Sequence, residues 1–177
     1  MDLVTLREEY NLARQYTRSL YEDLPEPDLQ WRPKPKSSAI AWHLGHQAAV
    51  NHFLLRNLFD AEPSLEPRFD ALFDAANPEE KRGNLPPLAD IVAYREAVAA
   101  RTHARLEEVR SGQRTASLQA SHTLRTLLIN LVNHEYQHDC WVGEMRQTLG
   151  HAVPVTAPSQ RARLVDGYWM LLSDSER

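Results

Sequence analysis

The sequence has 177 residues, 42% of them hydrophobic and 25% charged, with a net charge of −4 and one cysteine. That length suits a single domain over residues 1–177 with its own hydrophobic core, and the charge lacks the basic excess that nucleic-acid binding needs. No uncharged apolar run approaches the roughly 20 residues of a membrane span, the start MDLVTLREEY is unlike a signal peptide, and a lone Cys140 fits a reducing compartment.

A cytoplasmic protein without nucleic-acid or membrane partners is therefore expected. In chain order, Leu3, Leu6, Tyr10, Ala13, Tyr16 and Leu20 recur at helical spacing after Asp2, a fair N-cap, and predict a first helix to about Glu22. The stretch LPEPDLQWRPKPKSS holds four prolines in fifteen residues, which predicts a loop carrying Trp31. Ser37 and Ser38 offer N-cap hydroxyls to a second, largely buried helix that ends near Asp60. Residues 61–87 contain five prolines and no sustained period, which predicts a long connection with one short helical turn. A third helix follows from about Leu88 to Arg110, stopped by Ser111-Gly112. The fourth begins near Ser121 and halts at Gly150. GYWMLL near the end is expected to pack as a short helix. No stretch was matched to alternating polarity with hairpin turn residues, so no strand is expected. The fold class that results is all-α, a four-helix bundle. Its connection between helices 2 and 3 could span more than about 30 Å, enough to leave those two helices parallel.

The chemistry concentrates in histidines. LVNHEYQHDCW contains H-E-x-x-H, but with eight histidines in the chain, spacing alone is weak evidence. Phase says more: the apolar stripe Leu124, Leu127, Leu128, Leu131 resumes at Val142, Met145, Leu149, and His134 and His138 fill the gap in the same register. An i, i+4 pair facing inward brings two ring nitrogens close enough to share one ion. A third ligand would come from WHLGHQAAVNHF in the second helix, where the periodicity leaves His43 and His46 tied. His52, His103, His122 and His151 are expected at solvated positions. A zinc protease also needs a downstream ligand from a separate element and a sheet for its peptide substrate. Glu144 shares the helix, and Asp166, Asp174 and Glu176 belong to the tail, so that reading ranks last. Glu135 is then a residue that supports a ligand or, as a carboxylate beside one, a base.

The leading helix, the WRPKPKSS loop, SSAIAWHLGHQ and NHEYQHDCWVGEMRQTLG together resemble the DinB-like superfamily of metal-binding four-helix bundles, across essentially the whole chain. The strings are similar to its histidine-rich second subfamily and to the N-terminal domain of ergothioneine iron sulfoxide synthases. The resemblance implies a long crossover between helices 2 and 3 and one divalent metal on three histidines. By motif position these are His46, the second histidine of WHLGH, with His134 and His138. The formylglycine-enzyme-like domain of the sulfoxide synthases is missing, so sulfoxide synthesis is not implied. Members of the wider superfamily include transferases that use bacillithiol or mycothiol and a mycothiol-dependent maleylpyruvate isomerase.

The expected function is that of a metal-dependent enzyme, a thiol-dependent S-transferase or a hydrolase, acting on a small-molecule substrate such as a low-molecular-weight thiol. Three neutral nitrogens suit Zn²⁺, Ni²⁺ or Fe²⁺. The alternative is a non-catalytic bundle clamped by its metal, for which His43 or Glu135 would have to supply a fourth ligand. Trp42, His43, Asn130 and Trp141 lie within a turn of a ligand and are candidate pocket residues. Cys140 falls about 200° round the helix from His138, which argues against a nucleophilic thiol in the same pocket. Apolar stripe left over on helices 1 and 3 would suit a homodimer.

Overall fold

The computed structural model describes residues 1–59, 62–77, 84–114, 118–154 and 156–173. Asp60, Ala61, Pro78, Asp174 and Glu176 lie outside these described residues. The helices are α1 (Leu3–Ser19), α2 (Glu26–Gln30), α3 (Ile40–Leu58), α4 (Pro67–Leu72), α5 (Leu88–Arg110) and α6 (Leu118–Thr148). Two short strands, β1 (Ala162–Val165) and β2 (Tyr168–Leu171), follow. The all-α class expected from the sequence is correct, and α1, α3, α5 and α6 are its four long helices. None among the described residues is long and apolar enough to cross a membrane. The chain divides into two compact units, residues 1–22 with 103–177, and residues 23–102.

In the first unit, Asp2 Oδ1 accepts the Thr5 N–H at 2.8 Å, the expected N-cap of α1, and this bond holds the Asp2 carboxyl below its ordinary range. Leu6, Tyr10 and Ala13, at helical spacing, are buried. The Tyr16 ring meets Tyr136 of α6 edge-on, and the Thr17 hydroxyl stands 3.0 Å from both Glu135 and Asp139. Having one proton, it donates to one carboxylate at a time. Arg146, 5% exposed, donates from Nη1 to the Leu20 carbonyl at 3.1 Å. These contacts climb both helices together, so α1 and α6 run parallel. Arg146 Nε also donates to the Ala152 carbonyl, just past the end of α6. Gly150, at φ +86°, stops α6 as expected, and Gly112, at φ +75°, does the same after α5.

The tail corrects the sequence expectation. GYWMLL forms no helix; Tyr168–Leu171 is a strand, paired antiparallel to β1 with Ala162 opposite Leu171 and Val165 opposite Tyr168. The turn is Asp166-Gly167, with φ +49° and +87°. This is the left-handed pair that a two-residue hairpin turn demands, and Asp-Gly is among its preferred sequences. LVDGYW therefore carries a hairpin signal in its turn residues, although its four-residue strands are too short to show alternation. Asn133 of α6 secures the strand: its Oδ1 accepts the Leu171 N–H at 2.7 Å and its Nδ2 donates to the Leu171 carbonyl at 3.2 Å. One side chain thus satisfies both backbone groups on that edge of β2.

In the second unit, α3 and α5 are also parallel. Buried Arg95 of α5 donates to the Leu44 carbonyl and Gln47 Oε1, and Thr102, two turns on, to Asn51. The 24–38 loop contains a turn of helix, α2, which tolerates Pro27 because the first N–H groups of a helix have no internal acceptor. Its Glu26 accepts the Leu88 N–H at the start of α5. Ser37 and Ser38 do not cap α3. That helix starts one residue later with Ala39 as its N-cap and no side-chain bond. The expected single turn in the long connection is α4, locked by Asp70, which accepts from Tyr94 Oη at 2.7 Å, Ser64 Oγ at 2.6 Å and Arg56 Nη1 at 3.2 Å. Burial, with that Asp70 bond, pushes the Tyr94 hydroxyl well above its usual range.

Candidate metal centre

His134 and His138 sit one helical turn apart on α6, and the structure brings their rings together at 4.5 Å between centroids, tilted by 59°. His138 is buried and His134 half-buried, as the interrupted apolar stripe implied. Trp141 packs edge-on against His138 at 4.9 Å and restricts that ring. The carboxylates beside the pair face elsewhere: Glu135 and Asp139 are 3% exposed and meet Thr17 of α1. Glu135 Oε2 is therefore an acceptor for the Thr17 hydroxyl of α1.

His46 belongs to the other unit, in the middle of α3, where it is 6% exposed. Its Nδ1 lies 2.6 Å from the Phe73 carbonyl. A carbonyl only accepts, so Nδ1 carries the proton and the ring's lone pair is on Nε2. Metal-ligating histidines commonly donate the other ring N–H to a carbonyl in this way, fixing tautomer and orientation. Trp42, one turn earlier, stacks on the imidazole at 4.5 Å and 12° and donates its own N–H to the Leu72 carbonyl. Gly45 makes this possible. A Cβ there would fall 2.5 Å from Phe73 Cδ1 and nearer still to Cε1 and Cζ, so only glycine lets the Phe73 ring, 0% exposed, seat on α3 with its carbonyl at His46. His43, the other candidate in WHLGH, is 8% exposed and meets Trp42 edge-on.

The remaining histidines correct the expectation in part. His52 is 1% exposed, its Nε2 accepting the Leu65 N–H at 3.0 Å, because the long connection folds back over it. Its local helical phase carried no sign of that return. His103 is half-buried, edge-on to Tyr10 at 6.0 Å, His151 is half-buried and His122 exposed. Cys140 is half-buried with its thiol directed to the Gly167 carbonyl, and burial, with Glu144 and Asp139 nearby, pushes its pKa up. That is the reverse of an activated nucleophile.

Within the first unit, α6 and the hairpin border an open pocket of about 630 Å³ that includes His134, Asn130, Asn133, Gln137 and Trp169. Asn130 is thus the one pocket candidate from the sequence that lines it together with a candidate ligand. Trp169 and its neighbours were missed along with the hairpin.

A buried, tautomer-fixed histidine on a WHLGH helix and an inward i, i+4 pair on a late helix are features of a metal-binding helical protein. The sequence profile of the DinB superfamily matches residues 9–142, and the chain belongs to that superfamily. No curated protein matches the sequence.

Proposed function

We propose that the protein is a metal-dependent DinB-superfamily enzyme, a single domain over residues 1–177. His46, His134 and His138 together hold one divalent ion of the zinc, nickel or iron kind. The observation that carries the reading is the Nδ1 contact of His46 with the Phe73 carbonyl, which gives a buried imidazole the tautomer of a ligand. The i, i+4 pair on α6, with rings 4.5 Å apart, supports it from the other side, and each of the three residues offers one ring nitrogen as a donor.

Three neutral donors leave coordination positions for a substrate. When bound, such an ion lowers the pKa of a thiol or water or polarises an electrophile. The chain's own residues have separate tasks. The Phe73 carbonyl and the Trp42 ring hold the His46 imidazole in one orientation, Trp141 limits the rotation of His138, and Asn130 and Gln137 offer amides to a polar substrate group. The reaction class is a thiol-dependent transfer or a hydrolysis, with a low-molecular-weight thiol as the favoured partner substrate.

Elemental analysis of protein purified without a histidine tag tests this. One equivalent of a transition metal in the wild type, lost in His138→Ala and in His46→Ala, is expected. Equal metal in wild type and both variants, or none in any, overturns the assignment.

A further inference from the structure

The hairpin lies outside the segment that the family profile covers, residues 9–142, yet it builds one side of the pocket that His134 lines. About 630 Å³ is within the range of small-molecule pockets. One wall is α6, which presents Asn130, His134 and Gln137 at i, i+4 and i+7, a single helical face. The other is β2, where Tyr168, Trp169 and Met170 all border the pocket, Tyr168 and Met170 on one face of the strand and Trp169 on the opposite one. Trp169 is fixed in place: its indole N–H donates to the Tyr16 hydroxyl of α1, and the next residue but one, Leu171, is pinned by Asn133. The wall is therefore prebuilt.

Its chemistry is selective. Among the described residues the pocket is lined by no lysine or arginine, and its one formal charge is Asp166, exposed at the hairpin turn. A carboxylate or phosphate entering there would lose hydration and find no counter-charge. The Trp169 ring instead favours a flat ring, by stacking. The Asn130 and Gln137 side chains each supply a donor and an acceptor, which suits an uncharged polar substituent.

We propose that this cavity binds the ring of an uncharged aromatic or heteroaromatic small molecule, with β2 as its apolar wall and the α6 amides reading its polar substituent. The proposal rests on the metal reading only in placing the bound ring beside the ion; the pocket itself needs no metal.

A charge series on one ring tests it by calorimetry, on full-length protein freed of metal with a chelator so that no ion attracts the anion: indole-3-acetamide, indole-3-acetate and tryptamine. The acetamide is expected to bind at least about tenfold more tightly than the acetate and no less tightly than tryptamine. Trp169→Ala is expected to weaken the acetamide about tenfold, while Trp169→Phe stays within about threefold. Should Trp169→Ala fail to fold, Gln137→Leu, at an exposed position, provides the second readout: about threefold weaker acetamide binding with plain indole unchanged. Tighter binding of the acetate or of tryptamine, no binding of any of the three, or insensitivity to Trp169 and Gln137 overturns the proposal. Ring binding without a metal in the purified protein would refute the metal reading alone, and metal without ring binding would refute the pocket alone.

Discussion

Gly45→Ala is the sharpest probe of how α3 presents His46. An alanine in a helix interior ordinarily stabilises by about 1 kcal/mol over glycine, because less backbone entropy is lost on folding. Here the added methyl would stand 2.5 Å from Phe73 Cδ1 and closer to two further ring atoms, where carbon atoms prefer about 3.5–4 Å. The ring must retreat by about 1 Å, and it has nowhere to go. Phe73 is 0% exposed and packs against Phe69 at 5.5 Å, which packs in turn against Tyr94 at 5.3 Å. Overpacking of this kind costs typically about 1–3 kcal/mol; taking the upper end for an immobile ring and subtracting the propensity gain leaves about 2 kcal/mol of net destabilisation. The backbone of the same residue carries the carbonyl that holds His46, so a shift of Phe73 that reaches its main chain should lower metal affinity along with stability. Urea unfolding of wild type and Gly45→Ala, each stripped of metal, measures the first, and a metal titration the second. Adding Phe73→Leu to Gly45→Ala should recover part of the loss, a non-additivity expected only if the two side chains collide. A Gly45→Ala protein as stable as wild type or more so, with unchanged metal affinity, would refute the reasoning.

Two further outcomes follow from other parts of the chain. Asn133→Ala leaves the N–H and carbonyl of Leu171 without their side-chain partners, which should destabilise by about 1–3 kcal/mol and speed amide exchange across 168–171; exchange at wild-type rates would show that the hairpin is held by other means. Burial depresses the pKa of His52 below its ordinary 6.5, with Asp70 opposing and Arg101 and Arg56 reinforcing. A depressed histidine pKa contributes stability that is present above 6.5 and lost as pH falls from there toward the folded value. Protonated Nε2 can no longer accept the Leu65 N–H. The urea midpoint should therefore drop more steeply in wild type than in His52→Gln as pH falls below about 6.5, and identical slopes would remove His52 as the cause.

What the sequence made legible was local. Asp2, Gly112 and Gly150 act within one turn of themselves, so caps and stops of the long helices could be read directly, and the stripe through Leu131, His134, His138 and Val142 needs only helical phase. What it hid was set by distant partners. His52 is buried by a connection that returns from 13 residues on, and the Phe73 carbonyl that fixes His46 arrives from 27 residues away. Periodicity alone left His43 and His46 tied; the Phe73 carbonyl and the Trp42 ring orient the His46 imidazole, which helical phase does not show. The hairpin was within reach, since Asp166-Gly167 is a local signal, but strands of four residues are too short for alternation to register. Ser37 and Ser38 were misleading in the opposite sense: the right residue type stood one position too early to cap α3.

Because α1 and α6 run the same way, their carbonyl-rich ends come to lie side by side, each equivalent to roughly half a negative charge. Arg146, itself in the last turn of α6, places its charge between them, with one nitrogen on the Leu20 carbonyl at the end of α1 and another on the Ala152 carbonyl in the segment after α6. The guanidinium thereby acts as an internal counterion for two like poles. It makes co-directional winding tolerable in this unit, and an uncharged side chain of equal length would fill the space while leaving the two poles to repel.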